Sequence, residues 1–337
     1  MQAHTIAAGG DRSILERSPL GRVPDTVLKW GLTALALAIL IVIGYFFARL
    51  IGQSANAFKH MGVFGFIFNN DWDISRNTFG AWPLVVGTLI TSVIALVIGV
   101  PVAVAAAVYL TQLCPRRARR PLSILVDLLA AVPSVVYGLW GVFVLIPKLK
   151  PAEQWFADTF HFLPFVAGNV PGPSYFIAGL ILAIMIVPIV SAISREVIAT
   201  VPPEHKEAAL ALGATPWEMI RTAILPYSRS GITGAAMLGL GRAIGETIAV
   251  TLVIGDAPAL GHSIFQQGYT LAAAPANEFG EATGLHTSAL FAAGLVLFLL
   301  TLAVNIIARI FITRGVRGKR GAGDVLVSEI GAGAAPA

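Results

Sequence analysis

Charge is what this sequence has least of: Asp, Glu, Lys and Arg make up 12% of its 337 residues, against a hydrophobic share of 56%. Soluble domains carry roughly 25% charged residues, so half the usual solubilising charge is missing and lipid must cover much of the surface. Cysteine is nearly absent: Cys114 stands alone, which excludes a disulfide framework within the chain. No G-x-x-x-x-G-K-[ST] occurs, and RGKRG at 317–321 is not one. The chain therefore cannot bind ATP by that route, and energy must come from elsewhere. Its histidines (His4, His60, His161, His205, His262 and His286) are scattered, without metal-ligand spacing such as H-E-x-x-H, so no metal site is expected. Neither a membrane-embedded nucleophile–base pair nor an inverted internal repeat is visible.

What is present is apolar length. A helix crossing a bilayer needs about 20 mostly apolar residues, and six stretches qualify, at about 28–51, 83–110, 121–147, 174–198, 230–256 and 287–312. The first, LKWGLTALALAILIVIGYFFARLI, is too long for a signal-peptide core and lacks a small-residue cleavage site, so it is expected to remain as an anchor. The expected fold class is an all-α integral membrane protein of six transmembrane helices. Its domains read as a polar N-terminal tail (1–27), a membrane domain (28–313) and a Gly- and Ala-rich C-terminal tail (314–337), both tails poorly ordered.

Lys and Arg placement orients the chain, because positive loops resist translocation. Seventeen fall on the tails and on the loops after spans two and four. Only five (Arg49, Lys59, Arg76, Lys148 and Lys150) fall on the other side, where the 257–286 loop has none. Both termini are therefore expected in the cytoplasm. The sequence pI near 9.6 is explained by topology and does not call for nucleic acid. Pro101, Pro133 and Pro188 lie within spans, where each can be a packing kink or a hinge.

Between spans four and five lies KEAALALGATPWEMIRTAILP, residues 206–226. Pro203 and Glu204 suit a helix start, and Gly213 suits a left-handed helix exit. Thr215-Pro216-Trp217-Glu218 reads as a capping box that opens a second helix, which is expected to reach about Ile224 and stop at Pro226. DNA reading is excluded: Arg221 is balanced by Glu218, and membrane spans tether both ends. The pair is either a connector or a knob for a cytoplasmic partner, with small Ala208 and Ala209 permitting close approach.

Span five contains GLGRAIGET. On one continuous helix Arg242 would lie about 18 Å along the axis, mid-membrane, with Glu246 one turn further out on the same face. Charges at that depth face protein or a water-filled passage. They are either a packing ion pair, with Gly241-x-x-x-Gly245 allowing close helix approach, or a guanidinium that stabilises an oxyanion in transit with Glu246 orienting it. Gly239-x-Gly241-x-x-x-Gly245 has the wrong spacing for a dinucleotide fingerprint and no preceding strand. Asp127 lies near the cytoplasmic face and reads as structural or snorkelling.

The 206–226 stretch resembles the EAA loop of binding-protein-dependent ABC importer permeases: EAA, three residues, Gly, nine residues, Ile, one residue, Leu-Pro. Glu207, Ala208, Ala209, Gly213, Leu225 and Pro226 match it, while Ala223 stands at the Ile position with Ile224 beside it. The wider chain is similar to the phosphate branch of that family over 79–96, 132–144, 237–256 and 288–309. The resemblance implies a type I (MetI-like) importer permease of the cell inner membrane, with 203–226 as the ATPase-coupling element. It also implies Arg242 and Glu246 on the substrate pathway, and no cofactor in this chain, since ATP and Mg would sit on the partner. The implied partners are a second permease, two copies of a cytoplasmic ATP-binding subunit and an extracytoplasmic phosphate-binding protein. The remaining alternatives are a permease for sulfate or molybdate and an ion-driven secondary transporter.

Overall fold

The computed structural model describes residues 22–332 apart from His262, and side chains over 27–310; the tails before 22 and after 332 lie outside the described residues. The chain divides at Gly52 into two units. The described part of the first is helix α1 (Arg22–Met61) as far as Gly52; its last residues belong to the second. Its apolar side chains, from Trp30 and Leu32 through Ile41 and Phe46, stand exposed, as a lipid-facing helix requires.

The second unit is built around two long helices, α3 (Trp82–Val108) and α7 (Tyr175–Ala199), preceded by short α2 (Val63–Phe68) and a two-residue antiparallel pair, β1 (Trp72–Asp73) on β2 (Thr78–Phe79). Lipid tails are as apolar as leucine, so helices in a membrane associate through close packing, and small residues permit it. Gly99 of α3 lies where a Cβ would come within 2.8 Å of Ile186, and Gly179 of α7 where one would come within 2.5 Å of Ile94. Tyr175, Ile177, Ile181, Leu182 and Ile186 of α7 are fully buried in the resulting core. Gly87 is tighter still, since an added Cβ would stand 2.0 Å from the Tyr269 carbonyl oxygen. Backbone cannot swing aside as a side chain can. Gly87→Ala is therefore expected to lower thermal stability by about 1–3 kcal/mol or more, whereas Gly65→Ala, with nothing within 4 Å of the new methyl, should be neutral. Thermal unfolding in detergent checks both.

Next come α4 (Arg116–Ala130), α5 (Ser134–Trp140) and α6 (Ile146–Thr159). Here the structure corrects the third span. The apolar run 121–147 is not one helix: α4 ends at Ala130, Pro133 sits at the N-cap of α5, and the spanning helix is Ser134–Thr159. Proline disfavours helix in the residue before it, and the break leaves carbonyls unpaired. The Tyr137 hydroxyl donates at 2.8 Å to Leu129 O, which otherwise accepts only at the frayed helix end, where the Val132 N–H donates to it at 3.4 Å. Helix α4 is amphipathic, with Arg116, Arg117, Arg119 and Arg120 at its start and exposed Ile124, Leu125 and Leu128 further on, and none of its residues is buried. Pro101 and Pro188, by contrast, lie inside unbroken α3 and α7.

The chain continues through α8 (Pro203–Ala211), α9 (Pro216–Met219), α10 (Leu225–Gly245), α11 (Ile248–Ile254), α12 (Ala273–Glu278) and α13 (Leu285–Ala332). Helix α13 continues past residue 312, where the sixth span was expected to stop, through residues read as tail. Among the described residues five helices are long and apolar enough to cross a membrane, and α9–α10 with α11 forms a sixth, bent by 63°.

Candidate functional site

That bend lies in the span carrying the charges. Helix α10 ends at Gly245; Glu246 is extended (φ −72°, ψ 127°), and α11 restarts at Ile248. Arg242 in the last turn of α10 and Glu246 at its C-cap do come together as an i, i+4 pair, but at the edge of a break and not within the continuous helix that the sequence suggested. Such breaks are tolerated at membrane depth only where protein or a water-filled cavity surrounds the backbone. Glu246 satisfies part of this one, because the Ala249 N–H donates to its Oε1 at 3.4 Å. Its Oε2 stands 3.8 Å from Arg242 Nη2, beyond hydrogen-bond length. The Glu246 side chain is 8% exposed and that of Arg242 is 42% exposed, so the carboxylate is anchored and the guanidinium is accessible.

The glycines sort the faces of α10. A Cβ on Gly239 would come within 2.8 Å of Val190, and one on Gly231 within 2.4 Å of Val197, so this face is packed on α7. Gly241 and Gly245 meet nothing within 4 Å. The G-x-x-x-G spacing therefore does not mark a close approach within this chain, as the sequence reading allowed. Leu238, Gly241, Arg242 and Gly245 follow i, i+3, i+4, i+7 spacing and share one stripe, on which Leu238 is 60% exposed. The accessible guanidinium thus belongs to the face this chain leaves open. Tyr137 of α5 stands within electrostatic range of Arg242, and α5 meets α11 where a Cβ on Gly138 would come within 2.6 Å of Leu252 and 3.1 Å of Ala249.

The second candidate element is the helix pair. Thr215 and Glu218 form the expected capping box: Thr215 N–H donates to Glu218 Oε2 at 2.8 Å, and Glu218 N–H donates to Thr215 Oγ1 at 3.3 Å. Gly213 has φ +80°, the left-handed exit. Pro226 does not stop the second helix. A π turn over Ile220–Ile224 precedes α10, and Pro226 occupies its first turn. The wider turn makes room for the ring, and a proline in a first helical turn loses no intrahelical bond. Leu225 is half-buried and Pro226 exposed. Ala209 packs into a cluster with Ile198, Val201, Met219 and Ile220, whereas Glu207, Ala208 and Gly213 are exposed. Leu212, 90% exposed, and Trp217, 62% exposed, crown the pair.

Sequence reasoning missed the partner of Asp127: its Oδ1 accepts from Arg195 Nη2 of α7, tying α4 to α7. Both line an open cavity of about 680 Å³ with Arg119, Glu196 and Lys206. Opposite charges spaced 68 residues apart carry no local signal. A second cleft, about 450 Å³, gathers Asp71, Asp73, Asp256 and Glu278. Burial pushes the Asp256 carboxyl above its usual range, helped by the nearby Glu278 charge and opposed by a hydrogen bond from Asn277.

Residues 99–316 match the profile of a family described as "Binding-protein-dependent transport system inner membrane component". The chain is 43% identical to a phosphate transport system permease protein PstC of Pasteurella multocida, covering 83% of this chain and 88% of the relative. Against a protein of the same name from Mesorhizobium japonicum it is 43% identical, covering 86% and 90%. With that of Mycobacterium leprae the figures are 49%, 68% and 74%. Among solved structures, a bacterial ABC transporter for import of the acidic polysaccharide alginate aligns with TM-score 0.57 at 17% identity, over 87% of this chain and 99% of that one. A second alginate transporter structure, in complex with a pentasaccharide-bound periplasmic protein, gives TM-score 0.58 at 16% identity, over 85% and 96%. These two likenesses concern the fold, which is that of ABC importer permeases. The chain belongs to the binding-protein-dependent transport system inner membrane components and, among them, to the PstC permease proteins.

Proposed function

We propose that the chain is one of two transmembrane subunits of an ABC importer for inorganic phosphate. Arg242 lines the passage on a face that the second permease completes. The observation that carries this reading is the accessible guanidinium at the mid-span break, held loosely by an anchored carboxylate. A guanidinium stays charged and offers forked donors that suit a tetrahedral oxyanion. At 3.8 Å, Glu246 orients it without occupying its hydrogen bonds. Glu246 also offsets part of the positive charge, so an anion is not captured too tightly to leave.

Both termini face the cytoplasm in this reading, as the Lys and Arg asymmetry requires. The exposed knob of Glu207, Ala208, Gly213, Leu212 and Trp217 then faces a cytoplasmic ATP-binding subunit, present in two copies, which holds the ATP and Mg. The acidic cleft of Asp71, Asp73, Asp256 and Glu278 faces outward. Carboxylates outnumber basic groups there, with Arg76 paired to Asp73 at 3.4 Å and His286 to Glu278 at 2.7 Å, so the cleft does not attract a free anion from bulk, which supports delivery by an extracytoplasmic phosphate-binding protein. ATP-driven closure of the ATPases moves the knob and opens the passage outward, and hydrolysis resets it.

Radiolabelled phosphate uptake in a host lacking its own copy of this subunit tests the reading. Expected is uptake at low micromolar phosphate that requires the ATPase and is not competed by a large excess of sulfate or molybdate. Sulfate competition would reassign the substrate, and uptake without the ATPase would overturn the importer mechanism.

A further inference from the structure

Helix α4 presents a face that neither the passage nor the coupling knob uses. On one side Ala118, Leu122, Ser123 and Val126 are half-buried where the helix packs on α7, and Asp127 is held by Arg195. At about 100° per residue, Arg117, Pro121, Ile124, Leu125 and Leu128 fall in one sector on the other side, flanked by Arg120. All six are exposed. The sector has two halves: its N-terminal end is cationic, with Arg116 also exposed beside it, and from residue 121 onward it is apolar. Arg119 is engaged elsewhere, since its Nη2 donates to Thr111 O at 2.8 Å.

The cationic end lacks compensation. Among the described residues no carboxylate pairs with Arg116, Arg117 or Arg120, and no acidic residue stands in the first turn of α4. These guanidinia repel one another and the positive partial charge of the helix start, and an anion relieves both. The apolar end makes a second demand, because exposed Ile124, Leu125 and Leu128 gain from a hydrocarbon surface. At 1.5 Å per residue, Ile124 lies about 10 Å and Leu128 about 16 Å along the axis from Arg117. A soluble anion meets only the first demand, and an apolar protein face only the second. One phospholipid meets both, with its headgroup at the arginines and its acyl chains along the apolar residues. A zwitterionic headgroup brings its own cation and leaves the excess charge in place, so the headgroup has to be net negative. Amphipathic helices with a basic cluster recognise anionic membrane surfaces in this way.

We infer that α4 is a binding site for an anionic phospholipid, whose phosphodiester meets Arg116, Arg117 and Arg120 and whose acyl chains lie along Ile124, Leu125 and Leu128. Its assignment to the cytoplasmic leaflet rests on the topology proposed above, while the chemistry of the site does not. The test uses the complete transporter complex in detergent micelles, titrated with dioleoyl-phosphatidylglycerol, with bound lipid counted by native mass spectrometry. Wild type is compared with the triple variant Arg116→Gln, Arg117→Gln, Arg120→Gln. Each basic residue at an anionic surface contributes about a factor of five. The affinity of one phosphatidylglycerol per complex should therefore fall about 100-fold, and dioleoyl-phosphatidylcholine should not distinguish the two proteins. Lysine at the same three positions should keep most of the affinity, because charge supplies the attraction. Ile124→Ser with Leu128→Ser should weaken both lipids alike.

Equal phosphatidylglycerol binding by wild type and the glutamine variant would overturn the site. Displacement of the lipid by millimolar inorganic phosphate would also overturn it, assigning the arginines to a soluble anion. Loss of the ATP-binding subunit from the glutamine variant, with lipid binding unchanged, would assign them to a protein instead. Every substituted residue is exposed, so the variants should assemble, and unchanged basal ATP hydrolysis shows it. No arm needs transport. If wild type failed to take up phosphate, the importer reading would fall while the lipid site was still decided.

Discussion

Arg242→Gln should reduce phosphate uptake at low micromolar concentration by about 100-fold, at equal membrane abundance and with basal ATP hydrolysis retained. The magnitude follows from the bonds removed. A hydrogen bond to a charged group contributes about 1.5–3 kcal/mol, and each 1.4 kcal/mol is about a factor of ten. Arg242→Lys should recover only part, because an ammonium lacks the planar fork. A packing role predicts something different. The structure holds Glu246 nearly buried and Arg242 loosely beside it, so removing the cation from a purely structural pair would leave an uncompensated carboxylate and cost assembly. Membrane abundance would then fall while transport per assembled complex stayed constant. Glu246→Gln in the same background separates the two cases. It should restore abundance if the pair is structural and should not restore uptake if Arg242 meets the anion.

The positions of the membrane helices could be read from hydropathy, because burial in lipid demands long apolar runs whatever their partners. Their breaks could not. Residues 121–147 are mostly apolar, with Asp127 their one charge, yet the chain leaves the helix at Ala131 and restarts at Ser134. Pro133 was the available signal, since proline biases its predecessor away from helix. The Gly245–Thr247 break contains no proline and stands in an apolar run, so it depends on tertiary satisfaction of its freed groups, including the Ala249 N–H on Glu246. Local chemistry fared better: the Thr215–Glu218 box and the Gly213 turn are fixed by residues three or fewer apart, and both formed. The π turn that carries Pro226 into α10 has no residue signature. Glycine spacing misled for a related reason: Gly239 and Gly231 are packed while Gly241 and Gly245 are not, and only the neighbours decide which.

Leu212→Asp should uncouple ATP hydrolysis from the permease. Leu212 is 90% exposed at the C-cap of α8, directly before the Gly213 turn. Surface substitutions that bury nothing usually change stability by within about 0.5 kcal/mol, so the isolated chain should unfold as the wild type does. If the helix pair only connected two spans, the variant would be silent in every assay. Large apolar side chains at the centre of an interface behave differently: truncating one typically costs about 2 kcal/mol or more, and a buried unpaired aspartate adds its desolvation. Affinity for the ATP-binding subunit should fall by about 30-fold or more, and stimulation of hydrolysis by phosphate-loaded binding protein should disappear. Trp217→Ala, across the turn and 62% exposed, should weaken binding in the same direction through lost area alone. Salt dependence of the remaining affinity then tests the exposed Glu207. A contact dominated by Leu212 and Trp217 is insensitive to ionic strength, whereas one dominated by Glu207 weakens as the Debye length shortens from about 10 Å at 0.1 M to about 3 Å at 1 M. The exposed area of the two apolar residues favours the first outcome, and pull-down of the ATPase subunit across that range decides it.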